Sequence, residues 1–188
     1  MSYRVLVIPE DPTHNGYILK PLAEAILTDA GKPQARVQVL TNPKLGGYDQ
    51  ALAAIRGDLS ERYGFWDLWL FIPDADRASD AAMTALENEL KAKQVTLLCC
   101  AAQPEAELYA CAAYRSELGI SWESARNAKR LKEDVFEPLL KNRGDSRRAG
   151  GGRDLLIAES LKNLPLLFKL CPELSVLRDR IRALFQQS

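Results

Sequence analysis

The sequence predicts an α/β fold in which a mainly parallel sheet of about four strands is flanked by helices, followed by a C-terminal helical extension. Short apolar runs alternate with segments of helical period through residue 102, and the loops between them are short. No strand-like run follows residue 103. Alternation of this kind is typical of parallel sheets with right-handed crossovers. We therefore expect an α/β domain over residues 1–103 and a helical extension over 104–188 that packs on the same domain.

Four segments have the composition of strands. The β-branched run 5–8 ends at Pro9, and the almost wholly apolar run 66–72 predicts a strand buried on both faces. The two other segments are an alternating stretch and a further apolar run, at 36–40 and 95–102.

Helical periodicity accounts for most of the remaining chain. The first helix is closed by Gly31, as helices often are. The predicted helices cover residues 18–29, 49–63, 80–93, 104–118, 127–142, 153–170 and 172–186. The segment 143–153 is rich in glycine and arginine, and we expect it to be too polar and flexible to pack.

The composition is that of an ordinary globular protein. Hydrophobic residues make up 47% and charged residues 27% of the 188 residues, enough for a core without staples. No run of about 18 apolar residues is present, and the first strand lacks the cleavage site of a signal peptide. These features predict a cytoplasmic protein with no membrane span. The oligomeric state stays open, a homo-oligomer included.

Cysteine and histidine content disfavours two kinds of site. The four cysteines have no CxxC spacing, and His14 is the single histidine, so a zinc site or a Ser–His–Asp triad is not expected. We expect the cysteines to be buried free thiols.

The two halves of the chain carry opposite charge. Residues 1–119 hold 11 Lys/Arg and 16 Asp/Glu, whereas residues 120–188 hold 14 and 9. This asymmetry suits a metal site in the acidic half and phosphate contacts in the basic half, although an ordinary solvated surface would also produce it.

Carboxylates follow two of the predicted strands. Glu10 comes directly after the first, and Asp74 and Asp76 follow the third. The carboxyl ends of parallel strands share one edge of the sheet, and in extended chain Asp74 and Asp76 would lean to the same side. Oxygen ligands of this kind suit Mg²⁺ or Mn²⁺, and we predict such a site.

Helix capping is the alternative explanation of these acidic residues. Asp11 or Thr13 could cap the first helix, and Asp76 or Asp80 could cap the helix after the third strand.

The same residues resemble a known family. A glutamate after the first strand and a DxD after a later strand are similar to the Toprim domain of topoisomerases, primases and OLD-type nucleases. The continuation resembles small Toprim-like proteins encoded beside ABC-type or OLD-like ATPases. Three segments carry that likeness: Gln103-Pro-Glu-Ala-Glu-Leu-Tyr109, Gly152-Arg-Asp-Leu-Leu-Ile-Ala-Glu-Ser-Leu161 and Cys171-Pro-Glu-Leu174. Two departures are Asp11 where the family has glycine and Tyr109 where it has tryptophan.

The resemblance implies roles for these residues. Glu10 would act as general base or ligand, and Asp74 and Asp76 would hold the metal. Because Glu105 and Glu107 lie two apart at a helix start, we expect only one to face an ion, and favour Glu105; the positive helix end explains both equally well. Three basic residues could reach a scissile phosphate or be ordinary solvated charges: Lys129, Lys132 and Arg153.

The expected function is that of a metal-dependent nuclease. Carboxylate-held Mg²⁺ supports cleavage of phosphodiesters in DNA or RNA, tRNA included, and the basic half would hold the backbone. The resemblance implies an effector of antiphage defence with an ATPase partner. One alternative is a non-catalytic subunit that docks on an ATPase through its leucine-rich tail. Another is a phosphoacceptor receiver-like domain, which would need a fifth strand with a lysine.

Overall fold

Four parallel strands form the core of the protein, shown here by a computed structural model that describes residues 2–186. Within that range the sheet has the order β2-β1-β3-β4. Its strands are β1 Arg4–Pro9, β2 Arg36–Val39, β3 Leu68–Ile72 and β4 Leu97–Cys99. The prediction of an α/β fold with a parallel sheet of about four strands is confirmed. A fifth strand, which a receiver-like domain would need, is not found among residues 2–186.

The two central strands are apolar because both of their faces are covered. β1 and β3 pair in register from Val5 opposite Leu68 to Pro9 opposite Ile72. The chain leaves β1 toward β2 on one side and later adds β3 and β4 on the other. The strand order therefore reverses between β1 and β3, and ligands of open parallel sheets bind beside the carboxyl ends of the strands at such a point.

Helices lie on both faces of the sheet. Those before residue 103 are α1 Gly16–Asp29, α2 Tyr48–Arg56, α3 Leu59–Tyr63 and α4 Asp80–Ala92. Those after it are α5 Glu107–Cys111, α6 Trp122–Arg126, α7 Glu137–Arg143, α8 Arg153–Leu161, α9 Leu164–Leu170 and α10 Pro172–Gln186. Shorter turns cover Ala112–Glu117 in 3₁₀ geometry, Lys132–Phe136 in π geometry, and Ala149–Gly152, where Gly150 and Gly151 depart from helical φ and ψ. None of the helices within residues 2–186 is long and apolar enough to cross a membrane.

The second half of the chain shares a core with the sheet. One apolar cluster joins α1 and one sheet face to the helices after residue 103, with α8 and α10 packed on α1 and α5 packed on α8. A second cluster fills the opposite face with side chains of α2, α3 and α4. The four cysteines are buried and free, as expected.

Several predicted helices are divided. The helix expected over 49–63 breaks at Gly57, where φ is −103° and ψ is −118°. The helix expected over 153–170 breaks before Asn163, whose side chain accepts a hydrogen bond from Leu166 N and so begins α9. A single hydrophobic period cannot reveal such breaks, because the two pieces bury the same kind of face.

The prediction that the Gly/Arg segment 143–153 does not pack was wrong at its end. Gly152 and Arg153 are buried, while residues 143–151 are exposed or half-buried. Gly150, Gly151 and Gly152 all have positive φ, at 72°, 66° and 88°, which glycine adopts at little cost. Glycine thus supplies the backbone conformation that lets a polar segment pack.

Candidate functional site

Glu10 links the ends of the two central strands. The backbone N–H of Asp74 donates to Glu10 Oε2 at 2.9 Å. The backbone carbonyl of Glu10 accepts from Gly47 N at 3.2 Å, which ties in the loop before α2. Burial raises the pKa of the Glu10 carboxyl, the N–H of Asp74 opposes that shift, and the charge of Asp76 adds to it. The Glu10 side chain therefore lies at the carboxyl ends of β1 and β3, where the strand order reverses.

Asp74 is more buried than Glu10 and lies beside it. It forms an isolated parallel bridge with Ala102, beyond the end of β4, and its Oδ1 accepts from Ala106 N at 3.1 Å. Burial raises the pKa of Asp74 to about 8, and the charges of Glu107 and Glu10 contribute next. A carboxyl in this position favours a proton or a cation beside it.

Asp76 does not follow Asp74 in extended chain. Residues 75–77 form a turn, and Asp76 is exposed. The expectation that both side chains lean to the same side was therefore wrong, because it assumed that the strand geometry continues. Asp76 still lies close enough for its charge to raise the pKa of Glu10.

Glu105 and Glu107 both lie beside Asp74. Glu105 Oε2 accepts from Lys132 N at 3.1 Å, and burial followed by the charge of Glu107 raises its pKa to about 7. Glu107 is 2% exposed at the start of α5, and its charge is the largest electrostatic contribution to the raised pKa of Asp74. We expected only one of the two glutamates to face the site. The structure instead brings both near Asp74, because Glu105 precedes α5 rather than lying on it.

The capping explanation of the acidic residues was wrong. Asn15 occupies the N-cap of α1 without a side-chain cap, while Asp11 Oδ1 accepts from Thr13 N at 2.8 Å in the loop before it. Ser79 caps α4 by accepting from Ala82 N at 3.2 Å, so neither Asp76 nor Asp80 does so. Local helix formation therefore does not account for Asp74 and Asp76.

Two of the three predicted basic residues lie next to the carboxylates. Lys132 and Arg153 both lower the pKa of Glu107, opposing the effect of burial. Arg153 is 7% exposed, donates from Nη1 to Gly150 O at 2.9 Å and lies 5.4 Å from the ring centroid of Phe136. Its buried Nε has no partner within residues 2–186. Arg153 is thus a buried charge, which excludes the interpretation of it as an ordinary solvated charge.

Lys129 lies on the surface, and much of the basic half around it is neutralised. Lys129 is exposed in the turn after α6. Many arginines after residue 120 are paired with carboxylates, including Arg126, Arg143, Arg147, Arg148, Arg178, Arg180 and Arg182. Much of the positive charge counted in the sequence is therefore neutralised by ion pairs within the chain.

The oxygen donors suit a hydrated ion. Within residues 2–186, no group of three His, Cys, Asp or Glu side chains is placed to hold a metal ion together. Magnesium usually retains several waters and binds through one or two carboxylates, so Asp74 with Glu10 or Glu105 fits that mode while a three-carboxylate cage does not form. Asp74 and Glu10 each have one oxygen fixed by a backbone N–H, which orients the carboxyl group.

A cavity of about 630 Å³ lies next to this site but belongs to the edge of β4. Its lining includes Cys99, Cys100, Glu87 and Arg180, and it reaches Ala75 and Gln103 without including the carboxylates described above. This cavity therefore does not contain the carboxylate cluster. The carboxylate cluster is the stronger candidate, because it combines converging charge with shifted pKa values.

Comparison with known proteins does not assign a function to these residues. No family model, curated protein or solved structure matches the chain.

Proposed function

We propose that this protein is a Mg²⁺-dependent nuclease whose reaction takes place at Glu10, Asp74 and Glu105. One observation carries the proposal: the hydrogen bond from the backbone N–H of Asp74 to Glu10 Oε2 holds two acidic residues together at the point where the strand order reverses. Ligand sites of open parallel sheets lie at that point. The Toprim-like motifs of the sequence support a phosphodiester as the substrate.

The reaction would be hydrolysis of a phosphodiester in DNA or RNA. A water attacks phosphorus, the bond to one ester oxygen breaks, and the products are a phosphate monoester and a hydroxyl group. When bound, Mg²⁺ or Mn²⁺ would supply Lewis-acid stabilisation of the phosphate charge. Asp74 and Glu105 would hold the ion, and Glu10 would accept the proton of the attacking water.

The neighbouring charges have supporting roles in this proposal. Lys132 binds Glu105 through its own backbone N–H, and its ammonium group would stabilise a phosphate oxygen. Arg153 would balance the buried charge of Glu107 and so set the field at Asp74. Exposed Asp76 would bind the ion through a water.

A cleavage assay tests this proposal. The protein is incubated with Mg²⁺ or Mn²⁺ and with supercoiled plasmid, single-stranded DNA or tRNA, and the products are resolved on gels. We expect cleavage that Asp74→Asn and Glu10→Gln reduce by about 100-fold or more, as loss of a metal ligand or base commonly does. Asp58→Asn is the matched control, because Asp58 is exposed in the loop before α3. Cleavage that survives in both site variants would reject the assignment.

The second candidate is a non-catalytic subunit that docks on an ABC-type or OLD-like ATPase. It is favoured by the lack of a three-carboxylate group among residues 2–186. The leucine-rich tail gives it little support, because none of its seven leucines is exposed: Leu161, Leu164, Leu166, Leu167, Leu170, Leu174 and Leu177. Calorimetry with Mn²⁺ separates the candidates. Heat of binding that Asp74→Asn abolishes supports the nuclease, whereas no binding together with a stable ATPase complex supports the subunit. An antiphage role would then follow from that partner.

A further inference from the structure

The open edge of β2 carries a basic cavity whose lining includes none of the paired arginines of the helical half. Its volume is about 590 Å³, and its lining consists of Arg4, Lys20, Arg36, Trp66 and the strand residues 37–39. Three of these side chains are cationic, and none of the lining residues within the described chain is acidic. The cavity is therefore electropositive by composition.

Two of the three cations have unbalanced charge. Arg4 lies 4.0 Å from Asp67, measured from Nε to Oδ2, which offsets part of its charge. Lys20 on α1 and Arg36 on β2 are both exposed, and neither forms an ion pair in the part of the chain that the structure describes. Unpaired cations around a concave surface focus positive potential and attract anions.

The strand itself contributes further donors. β2 is the outermost strand, and its ladder to β1 uses alternate residues, with Arg36 N donating to Tyr3 O at 2.7 Å and Leu40 N to Val7 O at 2.8 Å. The N–H groups of Val37 and Val39 therefore face away from β1, along the cavity.

Aromatic surface lies beside the cations. Half-buried Trp66 lines the cavity. The preceding residue, Phe65, is 61% exposed, and the guanidinium of Arg4 lies 4.8 Å from its ring centroid. Exposed aromatic rings next to a basic groove are the combination that binds single-stranded nucleic acid, where bases stack and cations follow the phosphates.

We propose that this β2 cavity binds single-stranded nucleic acid, with Lys20 and Arg36 contacting phosphates and Phe65 stacking on a base. The occupant is a nucleic acid and not an acidic peptide added to the strand edge, because strand pairing would not use the exposed ring of Phe65 beside the cations. The site lies outside the carboxylate cluster, and binding there requires no cleavage. It can therefore be tested with divalent metal removed.

Fluorescence anisotropy in EDTA provides the test, with labelled 15-nucleotide dT and U strands and the double variant Lys20→Gln/Arg36→Gln. We expect the Kd to rise about tenfold at low salt, and the slope of log K against log salt to weaken by about 1.4, since each lost single-strand phosphate contact removes about 0.7. Phe65→Ala should weaken binding without changing that slope. The matched control is Lys141→Gln/Lys169→Gln, which removes the same charge from two exposed lysines of α7 and α9.

Three results would overturn the proposal. They are no measurable binding by the unaltered protein, an equal loss of affinity in the control variant, and tighter binding of a labelled Asp/Glu-rich peptide that competes with dT at this cavity. Thermal unfolding of each variant shows that it is folded. Because the assay excludes metal, failure of cleavage leaves this result unaffected, and failure of binding here leaves the carboxylate assignment to its own assay.

Discussion

The backbone N–H of Asp74, just after β3, donates to Oε2 of Glu10, just after β1, at 2.9 Å. The bond orients the carboxylate of Glu10 and places it close enough to Asp74 for its charge to raise the pKa of Asp74. Asp74 in turn accepts from Ala106 N, so the loop before α5 is attached to the same point and carries Glu105 with it. A chain of backbone donors thus assembles carboxylates that would otherwise repel one another.

Asp74→Asn should make the metal-free protein more stable at alkaline pH. The pKa of Asp74 is raised from 3.8 to about 8, so folding favours its protonated form. That contribution to stability is complete below pH 3.8 and is lost as the pH rises through about 8. Asparagine resembles the protonated acid and can still accept from Ala106 N. We expect an advantage of at least about 1.4 kcal/mol at pH 8, or about 2–4 °C in Tm.

Thermal unfolding in EDTA from pH 5 to 9 measures this effect. The difference in Tm between Asp74→Asn and the unaltered protein should grow with pH, whereas Asp58→Asn should show no such trend. Glu105 and Glu107 titrate in both proteins, so the difference reports the titration of Asp74 together with its coupling to these neighbours. Parallel curves across the whole range would show that Asp74 is not the perturbed group.

Magnesium should replace the missing proton. At pH 8 an ion concentration about ten times the Kd contributes about 1.4 kcal/mol, so the Tm should rise by about 2–4 °C on adding MgCl₂. The rise should disappear in Asp74→Asn and shrink in Glu105→Gln. NaCl at the same ionic strength is the control for screening. An equal rise with NaCl, or a full rise in Asp74→Asn, would contradict binding at this site.

The sequence predicts the sheet and the position of Glu10 and Asp74. Buried parallel strands are apolar runs in the sequence, and the residue that follows each run marks the carboxyl end of the strand. The sequence does not predict Glu107, since an acidic residue at a helix start is ordinary and its burial depends on α8 packing against α5. The burial of Arg153 could not be predicted for a similar reason, because the conformation of Gly150–Gly152 before it depends on contacts with distant parts of the chain. Asp76 required knowledge of the turn at 75–77, which strand periodicity does not contain.

Gly152→Ala should be strongly destabilising. Gly152 has φ +88°, and a Cβ there would lie 2.4 Å from Asp145 N. Alanine would meet both backbone strain and a clash with backbone that cannot rotate away, so we expect a loss of about 2–4 kcal/mol in the free energy of unfolding. Gly31→Ala is the matched control, because Gly31 has φ +98° with nothing within 4 Å of the added carbon and should cost only about 1 kcal/mol. Urea unfolding measures both, and equal losses would show that the contact with Asp145 is unimportant.

Glu87 and Arg180 should protect the open edge of β4. Glu87 Oε1 accepts from Cys99 N at 2.6 Å, Arg180 Nη1 donates to Cys99 O at 3.1 Å, and the two side chains pair at 2.5 Å. Together they satisfy the outward N–H and C=O of Cys99, two of the backbone groups that an added strand would use. Glu87→Ala should cost about 1–3 kcal/mol by leaving the N–H of Cys99 unpaired, and Arg180→Ala should promote association of the chain. Urea unfolding and light scattering measure the two effects. Lys91→Ala on α4 is the control, and an Arg180→Ala variant that stays as dispersed as Lys91→Ala would show that the pair stabilises α10 without guarding the edge.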